Sequence, residues 1–137
     1  MPSTILLPDA EKLVVNALLS LPALSALGGR IYTVAPKRRT FPLARVARFG
    51  GDPWHTGHPY WLDEPSFQVD VWAQSGQIEA YTIAEQMRAC MAQELIGSWP
   101  EGVIVNIKVT ALVQSTDADF DPPKPRYRFT ATMTMHP

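Results

Sequence analysis

His55 and His58, with Thr56-Gly57 between them, carry the side chains of half a metal site. Neutral imidazoles bind divalent ions, and Asp52, Asp63 and Glu64 nearby could add oxygen ligands. A metal-dependent hydrolase built there would use His55, His58 and Asp63. The other candidate ligands do not join them. His136 is the penultimate residue, the single cysteine, Cys90, falls on the apolar stripe of a helical pattern, and no zinc spacing is matched. At that spacing Cys90 reads as an inert core thiol rather than a nucleophile. No serine occupies a nucleophile elbow, no glycine loop is shaped for phosphate, and no carboxylate pair is spaced along a regular element. The chain therefore reads as a non-enzyme without cofactor or metal, and its loop histidines as ordinary polar residues.

Lys37, Arg38 and Arg39 could touch phosphates, with loop aromatics stacking on bases as a nucleic-acid module would need. A net charge of −1, with both signs scattered, gives no general reason to expect such a partner, and a solvated turn is the plainer reading. The four tryptophans are more informative. Trp54 and Trp61 lie in a long loop, Trp72 on the polar side of a strand, and Trp99 in a turn. Trp, Tyr and Arg carry much of the energy of protein interfaces, so Trp54, Trp61 and Trp72 point to polypeptide partners, with packing of the loop onto its own core as the alternative.

The elements that must position these residues follow from period and punctuation. With 137 residues, one domain spanning 1–137 is expected. The lone cysteine favours a reducing compartment, and the apolar run from Leu13 to Leu27 is too short and too interrupted to span a bilayer; no export signal is visible. Pro8-Asp9 starts a helix whose Leu13, Val14, Ala17, Leu18 and Leu21 form one stripe, disturbed at Pro22. Extended segments are expected in "RIYTVA", "FPLARVARFGG" and "SFQVDVWA". A long loop separates the last two, over 50–65. A second helix over 76–96 buries Ala80, Ile83, Ala84, Met87, Cys90, Met91 and Leu95 and stops at Gly97.

"GVIVNIKVTALVQ" places Val103, Val105, Ile107, Val109, Ala111 and Val113 on one face of a strand, and Ile104 and Leu112 among polar residues on the other. A Pro-rich loop over 115–125 precedes the final strand, "RYRFTATMTM". The sum is an α+β fold: a mainly antiparallel sheet of four to five strands with two helices packed on one face. The opposite face, with Trp72, Ile104 and Leu112 among Thr, Arg and Asn, is expected to be half-apolar and so to be covered by something.

"LPDAEKLVVNAL", "RIYTVAPKRRTFPLARVARFGG", "LDEPSFQVDVWAQSGQIEAYTIAEQMRACM" and "PRYRFTATMTMHP", in that order, resemble the tail terminator proteins of long-tailed bacteriophages, especially those of actinobacteria. The resemblance runs over nearly the whole chain. It implies a structural virion protein, assembled in the host cytoplasm and located at the head-tail junction. Such a protein forms a homo-oligomeric ring, typically a hexamer, on the tail tube protein, stops tube growth and offers a surface to the head-tail connector proteins. DNA passes through the ring without sequence-specific binding.

Within that picture, Trp72 with Arg126 and Arg128 is expected at a contact with the adjacent subunit or the tube. The loop over 50–65, with Trp54 and Trp61, would carry the difference between the two ring faces. Asp117, Asp119 and Asp121 could line a lumen that does not trap phosphates, or form an ordinary solvated loop. A head-side connector or stopper of the phage neck is the neighbouring alternative.

Overall fold

The computed structural model describes residues 6–34, 36–51, 53–54, 62–74, 76–117 and 124–137. Helix α1, Ala10–Leu19, begins where Asp9 turns the chain and its carboxylate accepts the Lys12 amide at 3.2 Å. That bond satisfies one of the donors a first turn leaves open. Ala10, Leu13, Val14, Ala17 and Leu18 are its buried face. Pro22, which cannot continue the ladder, instead opens a 3-10 helix, Pro22–Leu27, ended by Gly28 in the left-handed conformation.

The strands follow in the order β1 Ile31–Tyr32, β2 Leu43–Gly50, β3 Pro53–Trp54, β4 Leu62–Asp63 and β5 Ser66–Trp72. Helix α2, Gln77–Glu94, comes next, then β6 Gly97–Trp99, β7 Gly102–Val109, β8 Val113–Asp117 and β9 Lys124–His136. All seven residues expected on the buried side of α2, from Ala80 to Leu95, are buried. Trp99 donates its indole N–H to the Leu95 carbonyl at 2.9 Å, closing one of the acceptors at the helix end.

Strand β9 is the spine of the sheet. One of its edges pairs with β5 from Arg126 to Thr132 and with β4 at Met135. The other pairs with β8 from Lys124 to Arg128 and with β7 from Ala131 to His136. Strand β2 flanks β5 in antiparallel register, β1 lies parallel beyond it, β6 flanks β7 and β3 flanks β4. The described residues thus form a nine-stranded sheet, broader than the four to five strands expected, and not wholly antiparallel. The strands missed in the sequence are two or three residues long, too short for any period to register.

The expected single strand after Gly102 is two. Thr110 breaks it: its hydroxyl accepts the Thr130 amide at 2.9 Å, and its carbonyl accepts from Arg88 Nε of α2 at 2.8 Å. A register shift between Ile104 and Asn106 reverses the expected faces on its N-terminal side only; beyond it Ile107 and Val109 pack against the core as expected. Ile104 is fully buried, whereas Val105 and Val113 are exposed.

Both helices pack on one face of the sheet. Ala44 and Val46 of β2, Phe67, Val69 and Val71 of β5, and Phe129, Ala131, Met133 and Met135 of β9 meet Leu13, Leu18, Met87 and Met91 in one cluster. Tyr81 of α2 also meets Tyr127 of β9 edge-to-face, with ring centres 5.6 Å apart.

Candidate assembly interface

The candidate surface is the face of the sheet that turns away from the helices. Alternation along β5 sends Phe67, Val69 and Val71 into the core and Gln68, Asp70 and Trp72 to the other side. Asp70 is fully buried there, although no helix covers that face among the described residues. Register explains how a buried carboxylate is tolerated: Arg45 of β2 and Arg128 of β9 stand directly beside it. Arg45 Nη2 reaches Asp70 Oδ2 at 2.9 Å, Arg128 Nε reaches Oδ1 at 2.7 Å, and Gln68 Nε2 adds a bond to Oδ2 at 3.2 Å.

An isolated buried carboxylate would be prohibitively costly; one held by charge-assisted bonds on both oxygens is not. One acid against two guanidiniums leaves a surplus positive charge. The arginine side chains remain 34 % and 40 % exposed, so that charge faces outward. Val113, opposite Arg128 in register, extends the row onto a fourth strand and is 62 % exposed. Phe49, at the irregularity in β2, is also exposed, and Lys108 stands opposite Thr132 on the same face.

The neighbouring row is Leu43, Trp72 and Arg126. Trp72 corrects the expectation made for it: it is buried to 4 % exposure by its own chain and awaits no cover. Ile104 likewise belongs to the core, so the face is charged and polar with isolated apolar residues rather than half-apolar. Phe41 precedes Leu43 and Lys124 precedes Arg126; the Lys124 ammonium sits 5.0 Å from the Phe41 ring and closes that end of the face.

A second ion pair secures the root of the segment expected as one long loop. Arg48 forks onto Asp63, with Nη1–Oδ2 at 2.8 Å and Nη2–Oδ1 at 2.9 Å, and donates from Nε to the Gly50 carbonyl at 3.1 Å. Its own amide donates to Glu11 Oε2 at 3.2 Å, tying α1 to the same point. Asp63 is buried, and both its oxygens are taken by this fork, so it is not poised as a metal ligand. His55, His58, Trp61, Asp119 and Asp121 lie outside the described residues. Trp54 is placed in β3 and Asp117 ends β8 by their backbones. Cys90 is buried, and burial with the nearby Glu94 carboxylate pushes its thiol from the ordinary 9.0 up to about 11, the opposite of an activated nucleophile.

Sequence reasoning singled out Arg126 and Arg128 but missed Arg45, Asp70 and Val113. The available signal was an acid inside an otherwise apolar strand, "QVDVW", with arginines inside two other strands.

A family model described as "Tail completion protein gp17" matches residues 12–133. The chain belongs to that family. As a tail completion protein it is a structural part of the phage virion and not an enzyme. Its fold is also similar to a chain in a structure described as the virion of a native gene transfer agent particle. The match has a TM-score of 0.56 at 15 % identity and covers 90 % of the tail completion protein and 92 % of the other chain. No curated protein sequence matches it.

Proposed function

We propose that this tail completion protein is a tail terminator: a homo-oligomeric ring, most simply a hexamer, that seats on the last ring of tail tube protein. It ends tube polymerisation and presents the surface to which the head-tail connector proteins join, in the manner of terminators from phages of actinobacteria. The observation that carries this reading is the family match along residues 12–133.

Termination requires the two ring faces to differ, so that one fits the tube subunit and the other denies the next tube ring its seat. The hairpin of β3 and β4, anchored by Arg48 and Asp63, supplies a rigid base for such a difference, with Trp54 and Trp61 as partner contacts. Arg126 and Arg128 face a neighbouring polypeptide, with Trp72 packed beneath as support. Asp117, Asp119 and Asp121 line the lumen, where negative charge lets DNA pass without sequence-specific binding.

Particles assembled without the protein test this directly by electron microscopy. Overlong, headless tails are the expected result. Full heads beside free tails of normal length would overturn it and assign the protein to the head side of the neck.

A further inference from the structure

Two surfaces of opposite character lie on opposite sides of the sheet. The first is the outer face already described, where Arg45, Arg128 and Lys108 outnumber Asp70 and where Val113 and Phe49 are exposed among them. The second is an open groove of about 470 Å³ on the helix side, between α1 and the sheet margin formed by β1. Asp9, Glu11 and Lys12 line its helix wall, and Val34, 80 % exposed, lies on the strand side. Two carboxylates therefore stand in this groove against one ammonium, while Asn16 on its wall donates outward to Glu101 at 3.1 Å. Strand β1 pairs only with β2 among the described residues, which leaves its outer backbone edge open at the groove.

We infer that the occupant of this groove is a second copy of the same chain, docking its outer sheet face head-to-tail. The inference rests on the ring reading above and specifies its subunit contact. Charge complementarity sets the pairing: the surplus guanidinium charge around Asp70 meets Asp9 and Glu11, while Val113 and Val34 supply apolar contact. Phosphate would reward the arginines but not the exposed valine and phenylalanine beside them, so polypeptide suits this face better than nucleic acid. Because the two surfaces differ and point to different sides, the contact is heterologous. Each subunit keeps one surface of each kind to offer, which is the condition for a closed ring.

Val34→Lys and Val113→Glu each place a charge of the wrong sign in the contact and test the inference with little risk to folding, since both positions are exposed. Each variant alone should associate about a hundredfold more weakly than wild type, read by sedimentation velocity and native mass measurement. An equimolar mixture should form dimers and nothing larger, because each variant retains the surface that the other lacks. Assembly of Val34→Lys like wild type, with Val113→Glu alone defective, would show the outer face pairing with itself or another partner and overturn the inference. Rings formed normally by both variants would place the contact elsewhere and leave the terminator reading standing. Wild-type chains that stay single both in solution and on purified tail tubes would overturn the ring reading together with this contact. Salt-sensitive binding of a duplex DNA probe, abolished by Lys108→Glu, would assign the outer face to nucleic acid instead.

Discussion

Asp70 is the residue on which the outer face depends. It lies in the middle of β5 with no exposed surface, and three side chains from three strands converge on its carboxylate. Removing one partner of a buried ion pair leaves an uncompensated group, a loss of about 3–5 kcal/mol. Asp70→Asn keeps the shape but removes the charge that holds two arginines. It should lower the stability measured by urea unfolding by about that amount, with the slope of the transition unchanged. A loss below about 1 kcal/mol would show that the arginines do not depend on it. This residue was legible as an acid on the polar side of a strand. That it was buried was not, because burial on this face comes from arginines distant in sequence. Trp72 failed in the opposite direction: alternation identified its face correctly, but its own chain, not a neighbour, buries it.

At the scale of elements, the two helices and the longer strands were readable because each satisfies a local requirement. Asp9 caps α1, Pro22 stops it, and an unbroken apolar stripe defines α2. The short pieces were not readable, since β3, β4 and β6 exist only through pairing with other segments. The break at Thr110 is similarly tertiary, made by bonds to Thr130 and Arg88. The root of the hairpin between β2 and β5 has a comparable logic. Gly51 has φ near +92°, and a Cβ there would run into the Glu64 carbonyl, so the chain can pass only as glycine. Arg48 closes the same point through Asp63. Arg48→Met should leave that carboxylate buried and unpaired, destabilising the fold by about 3 kcal/mol and speeding proteolytic cleavage within 50–65. Unchanged cleavage would show that the fork does not hold the loop.

For the whole molecule, membership of the tail completion family makes it a structural part of the virion rather than an enzyme. No helix among the described residues is long and apolar enough to cross a membrane, and no cluster of metal-binding side chains forms among them. The outer sheet face and the α1 groove differ in sign, and a contact between them in separate copies would be screened by salt: the Debye length falls from about 8 Å at physiological ionic strength to about 3 Å at 1 M. Self-association measured by sedimentation should therefore weaken about tenfold or more between 0.05 and 0.5 M sodium chloride. Salt-independent association would mean that the contact is essentially apolar and lies elsewhere.

The sequence by itself determined the α+β class, the apolar rows of both helices, the inert cysteine and, through the order of its motifs, the kinship with phage tail proteins. All are written in local period or in residue identity. Only the tertiary structure decided which side chains face outward together. The bulge near Val105 exchanged exposed for buried residues, and the pairing of β2, β5 and β9 gathered Arg45, Asp70 and Arg128 from positions 25 and 58 residues apart. A surface of that kind is a property of register, and register is fixed only when distant strands bury their apolar faces in a common core.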